Sequence, residues 1–307
     1  MCVEKFERFV PFIVPPGTLS GFRMPIRRFF LSLIALVAIV PSLGAAGESL
    51  AVIKLKEITE RQRALLAESA KQRDRGELDA TEFRAHVEQL CHEYESLLQD
   101  NPDLASGYAA YGYLLWKTGM HKEATAILLK ANKLDPDIAL VKNELGNYLA
   151  EEGKPIDAVS YFLSAIKLEP NEPLYHYQLA TLLYEARDDF LKSGYWTRAA
   201  LDRSMHEGFR RAAELAPDRI EFTYRYAESF YDLANPDWAE AFKTWSQLEA
   251  KAQSELERQT MRLHEANVCF KEGKAEQARA ILSTVTAPEL QVQKQKLVAG
   301  ADGKAGK

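Results

Sequence analysis

Apolar residues recur along most of the chain at helical spacing. Tyr108, Tyr111 and Leu115, or Leu145 and Leu149, stand three and four residues apart and so share one helix face. The pattern is punctuated at fixed distances. Pro102, Pro136 and Pro170 follow one another at thirty-four-residue intervals, and the blocks between them match position by position. Gly112 pairs with Gly146, Leu115 with Leu149, Gly119 with Gly153, Ala124 with Ala158, Ala131 with Ala165, and Leu134 with Leu168. The register predicts a tandem helix pair. A mid-helix glycine costs about 1 kcal/mol relative to alanine, so Gly112 and Gly146 point to close approach of a partner helix. Gly119 and Gly153 are placed to end first helices in a left-handed conformation. Pro136 and Pro170 are placed to stop second helices, because the ring removes a donor and clashes with the preceding turn.

Beyond Pro170 the pattern loosens. A third unit begins near Pro173 and ends at Pro217, and the interval from Pro170 to Pro217 is forty-seven residues, thirteen more than the repeat, which places an insertion near 186–200. A fourth runs from Ile220 to Leu248, with a long turn at Asn235-Pro236, and a fifth from Gln259 through Gly273 to Leu282. Upstream, Tyr94, Leu97 and Leu98 read as the second helix of a preceding unit. The charged segment from Leu50 to Gln72 reads as capping helix, since repeat arrays need a polar end. Spacing and residue types together resemble the tetratricopeptide repeat, a thirty-four-residue helix-turn-helix unit. The resemblance implies an all-α, right-handed superhelical solenoid, here spanning 102–285 after capping helices and a half repeat at 47–101. Residues 286–307, rich in Gln, Lys, Gly and Ala without apolar period, are expected to form a disordered tail.

The first forty-six residues read differently. From Met24 come Arg27 and Arg28, the apolar run Phe29 to Val40, and small residues Gly44 and Ala46, the layout of a secretory signal cleaved after Ala46. Residues 1–23 do not continue any pattern, and Met24 is a candidate start. An uncleaved apolar run would be an inner-membrane anchor instead, though it is short of the ~20 residues that span a bilayer. The expected location is therefore periplasmic or secreted.

Composition narrows the chemistry. The net charge is −5, and removing 1–46 leaves 34 basic against 42 acidic residues, so a phosphate-neutralising surface and nucleic-acid binding are disfavoured. Cys2, Cys91 and Cys269 lack metal-site spacing, and Cys91 and Cys269 fall on well-separated units, which predicts free thiols. Metal-pair, nucleophile-elbow and phosphate-loop motifs do not occur in the sequence, so no metal, cofactor or catalytic residue is assigned.

The resemblance also implies that the first helix of each unit lines a concave groove. Carried over, the groove residues are Tyr113, Trp116 and Lys117, then Asn143 and Asn147, then Tyr177 and Tyr184, then Tyr224 and Tyr231. Tyrosine and tryptophan combine apolar area with a polar tip, and two asparagines one turn apart have the reach to meet a bound backbone. The competing reading of each aromatic is packing between helices. A clamp for acidic peptides, with Lys117, Asn147 and Arg225, is opposed by Glu151, Glu221 and Glu228. The sequence thus predicts a non-enzymatic scaffold of the bacterial envelope that binds a protein or peptide segment. A carbohydrate-binding accessory or enzyme using the groove aromatics is the alternative. Partner identity and oligomeric state stay open.

Overall fold

The computed structural model describes residues 49–305. The expected signal region 1–46, its cleavage site at Ala46, the candidate start Met24 and Cys2 lie outside the described residues. Among the described residues the chain is all-α, with no strand. It divides into two compact units, one ending at Tyr175 and one beginning at His176.

The first unit holds α1 (Leu50–Arg75), α2 (Ala80–Asp100), α3 (Ala105–Lys117), α4 (His121–Leu134), α5 (Ala139–Glu151) and α6 (Pro155–Leu168). Consecutive helices pair as α1/α2, α3/α4 and α5/α6. The glycine signals act as the repeat reading expects. A Cβ added at Gly112 would sit 2.7 Å from Leu128 Cγ and Cδ2, and one at Gly146 would sit 3.1 Å from the Phe162 ring. Gly119 and Gly153 take φ of 84° and 72°, and their turns close in the same way. Met120 N donates to Leu115 O at 2.9 Å, and Lys154 N to Leu149 O at 2.8 Å, satisfying carbonyls left open at the helix ends. The charged α1 still buries Leu55 and Ile58. Its Gln62 side chain accepts a 2.5 Å hydrogen bond from the Tyr94 hydroxyl of α2.

The helix α7 (Pro173–Glu185) crosses into the second unit, which continues with α8 (Arg187–Lys192), α9 (Arg198–Leu215), α10 (Ile220–Ser229), α11 (Trp238–Lys251), α12 (Glu255–Lys271), α13 (Ala275–Ser283) and α14 (Gln291–Ala305). The segment expected as an insertion is the short helix α8, the link after it and the first turn of α9. It is fastened by Phe190, which is buried and meets Trp196 edge-on at 6.0 Å. It is fastened also by Arg187, which reaches Asp202 at 3.1 Å and Asp232 at 3.0 Å, while Arg198 joins both acids. A 3-10 turn at Phe230–Asp232 and an irregular link fill the long turn between α10 and α11. The α12/α13 turn repeats the earlier geometry, with Gly273 at φ 79° and Lys274 N donating to Cys269 O at 2.8 Å.

The expected disordered tail is corrected by the structure. A 3-10 turn at Pro288–Leu290 leads into α14, Leu290 is buried, and Leu297 and Val298 pack against the cluster of Leu263, Cys269, Ala278 and Leu282. The last repeat leaves an apolar end, and a few apolar residues at helical spacing suffice to cover it. Cys91 and Cys269 are both buried, and neither forms a disulfide among the described residues.

Candidate interaction surface

In the first unit, α3 and α5 carry the sequence-selected residues Tyr113, Trp116, Lys117, Asn143 and Asn147. Three of these are corrected from groove-lining to buried positions: Tyr113, Trp116 and Asn143. The Trp116 ring is covered by His121, stacked at 4.3 Å, and His121 Nδ1 in turn lies 2.8 Å from Glu151 Oε2. Burial, with Glu144 and Glu172 nearby, pushes the Tyr113 hydroxyl well above its ordinary pKa. Instead of reaching outward, Asn143 and Asn147 each donate a side-chain amide to Glu144 at 3.1 Å, holding a buried carboxylate between them. That arrangement answers the cost of burying an acid, which needs hydrogen-bond donors in place of water. Lys117 and Asn147 remain half-buried, with Lys117 Nζ 5.2 Å from the Tyr113 ring centre. Glu144 is the residue that groove counting missed. An acid flanked by amides at i−1 and i+3 is a weak signal in sequence alone.

In the second unit, Tyr177, Tyr184, Tyr224 and Tyr231 are half-buried, and they fall into two groups. Tyr224 and Tyr231 belong to an aromatic cluster with Trp245 and His264. Tyr224 meets Trp245 edge-on at 5.2 Å, and His264 stacks on Trp245 at 3.9 Å. These two tyrosines are chiefly packing, which is the competing reading of the aromatic pattern. Tyr177 and Tyr184 surround a different group. The Arg225 guanidinium lies 4.6 Å from the Tyr184 ring centre and 5.1 Å from that of Phe209, and it pairs with Glu228 at 2.6 Å. Tyr177 packs on Phe222 and Phe209. Arg225 and Glu228 keep about one-sixth of their side chains in solvent, at 15% and 16%. The result is an amphipathic face on α7 and α10 that brings a cation, a carboxylate and two phenol rings together. Beside it, burial raises the Glu221 carboxyl above its ordinary pKa, and Arg219 pulls it back.

The helix pairs and their glycine-closed turns define an all-α helical-repeat protein. A family description of the tetratricopeptide repeat matches residues 105–138, the α3/α4 pair. No curated protein matches the chain. Among solved structures it is similar to YrrB, described as a TPR protein with an unusual peptide-binding site, at 16% identity and TM-score 0.54 over 68% of this chain and 97% of that one. It is also similar to PilW, described as a widely conserved type IV pilus biogenesis factor, at 13% identity and TM-score 0.51 over 80% and 98%. PilF of Pseudomonas aeruginosa matches at 15% identity and TM-score 0.49 over 82% and 100%. The chain therefore contains a tetratricopeptide repeat, and its fold is that of TPR proteins.

Proposed function

We propose that this protein is a non-enzymatic interaction scaffold of the bacterial envelope that takes an extended protein segment on the first-helix face of its second unit. The observation that carries the reading is the trio of Tyr184, Arg225 and Glu228. A guanidinium held between two rings and paired on one side keeps donors for a backbone carbonyl or carboxylate, and it loses little rotamer freedom when it uses them. The peptide-binding site named for YrrB supports a peptide as the kind of ligand. Sugar stacking is less well supported, because the ring faces it would use are covered: Trp116 by His121 and Trp245 by His264. Lys117 and Asn147 are secondary contacts of the same kind in the first unit.

Export follows from the Arg27-Arg28 and Phe29 to Val40 signal, with the mature chain starting after Ala46. Cell fractionation with terminal mass analysis checks this part by itself, and a chain retained in the cytoplasm with residues 1–46 attached refutes it. For the binding role, the full chain and its Tyr184→Ala and Arg225→Gln variants serve as bait in crosslinked envelope extract. A protein enriched by wild type and lost at least tenfold by both variants, while each variant still melts cooperatively above the capture temperature, is the expected result. An identical captured set from all three baits refutes the surface.

A further inference from the structure

A helix buried on one side ordinarily shows water a polar opposite face. The helix α6 sets an apolar stripe between those two faces. It buries Pro155, Ala158, Phe162 and Ala165, yet it carries a second apolar row of Ile156, Val159, Leu163 and Ile166. Ile156 and Leu163 are 46% and 52% exposed, and Val159 and Ile166 are half-buried. At 100° per residue these four form one stripe about a third of a turn from the buried face. Along its open flank runs a second row of Asp157, Ser160, Ser164 and Lys167.

Both rows have the spacing three, four, three, and so each reads the same in either direction. The consequence is geometric. When two copies of α6 lie antiparallel across a twofold axis, each row meets itself. Ile156 then faces the partner's Ile166, and Val159 faces the partner's Leu163. On the flank, Asp157 faces the partner's Lys167 at both ends of the contact, and Ser160 faces the partner's Ser164. Asp157 and Lys167 make no ion pair within their own chain among the described residues. The two serines already donate to helix carbonyls, Ser160 to Asp157 O at 2.9 Å and Ser164 to Ser160 O at 2.8 Å, so covering their hydroxyls leaves no donor stranded.

We propose that the outer face of α6 is an isologous dimer interface and that its occupant is a second copy of this chain. The charge arrangement selects that occupant: one acid and one base at opposite ends of a palindromic apolar stripe fit an antiparallel copy of themselves. One helix face buries less than the ~1,000 Å² of a stable interface, so the dimer is weak and reversible, with a Kd on the order of 10–100 µM.

The test is sedimentation velocity on the full chain from about 1 to 300 µM at low salt, a range that brackets that Kd, with variants that touch only this face. Wild type is expected to rise from monomer towards dimer. Leu163→Glu is expected to stay monomeric with unchanged melting, since the side chain is exposed. Asp157→Lys alone and Lys167→Asp alone each set like charges against one another and weaken the dimer at least tenfold. The double variant Asp157→Lys with Lys167→Asp restores the pairing and the wild-type Kd. Self-association through any other part of the chain would ignore these changes. A wild type that remains monomeric at the top concentration overturns the proposal, as does a Leu163→Glu variant that dimerises equally or a double variant that fails to recover. A monomeric chain that floats with phospholipid vesicles through Leu163 assigns the face to a lipid surface instead and likewise overturns it.

Discussion

His264 is a base enclosed where a proton is unwelcome, and its stability consequence can be worked out. It is 3% exposed, its ring is stacked on Trp245 at an interplanar angle of 7°, and its two nitrogens lie 3.4 Å from the Tyr224 and Tyr231 hydroxyls. The Tyr231 hydroxyl also reaches the His264 carbonyl at 3.4 Å, so a consistent arrangement has Nδ1–H donating to Tyr231 and Nε2 accepting from Tyr224. Burial lowers the imidazole pKa from 6.5 to about 3. The sign follows: below pH 6.5 the unfolded chain binds a proton that the folded chain refuses. The neutral site's contribution is thus complete above 6.5 and is lost as pH falls towards 3. At pH 5 the gap is one and a half units of the unfolded titration, about 2 kcal/mol. Glu221 and Glu265, whose carboxyls burial raises, protonate more readily folded than unfolded and oppose this loss. A difference measurement cancels them. Urea unfolding of wild type and His264→Phe, followed by tryptophan fluorescence at pH 7, 6 and 5, should show wild type losing about 2 kcal/mol more across the range. Parallel pH slopes in the two proteins would refute the reasoning, because they would mean that the folded state accepts the proton.

Other perturbations test the packing. Gly112→Ala gains about 1 kcal/mol of helix propensity but drives a methyl to 2.7 Å from Leu128, so a net loss of about 1–2 kcal/mol is expected in urea unfolding. Gly146→Ala meets the Phe162 ring at 3.1 Å, which a small shift relieves, and should fall within about 1 kcal/mol of wild type. Arg187→Ala leaves the buried Asp202 with only the Arg198 contact and should cost about 3 kcal/mol or more, read as a lower melting temperature. An unchanged melting temperature would show that the charge cluster does not hold α8 in place.

The repeat was legible because its signals are local and sterically forced. A glycine that must take positive φ, or that must admit Leu128, leaves few alternatives at its position. The exposure of the groove candidates was not legible, because it depends on neighbours that the repeat does not share. Trp116 is covered by His121, and the equivalent position in the next unit is Pro155. Asn143 and Asn147 turn to Glu144, an acid that a count of groove positions passes over. The order of residues 286–305 was hidden by averaging. Composition weighs every residue equally, whereas docking needs only Leu290, Leu297 and Val298 in register.

The second unit shows why the repeat signal fades although the helix pairs continue. Counting thirty-four residues from Gly146 reaches Ala180, where the glycine of the first helix should stand. The close approach is still made, but the glycine has crossed to the partner helix. A Cβ on Gly208 of α9 would lie 2.9 Å from Ala180 Cβ and 3.1 Å from the His176 carbonyl. Packing constrains the sum of two side chains at a crossing, not the identity of either one. A glycine facing leucine, a glycine facing phenylalanine and an alanine facing glycine are all solutions to the same kind of contact. Position-by-position matching recognises the first two and misses the third. Further along, the seam between α10 and α11 is filled by Trp245 against Tyr224 and Tyr231 in place of small residues, so the crossing is set by ring geometry. The residues that break the pattern there are also those that bury His264, so the loss of repeat signature and the acid sensitivity expected of His264 have one structural cause.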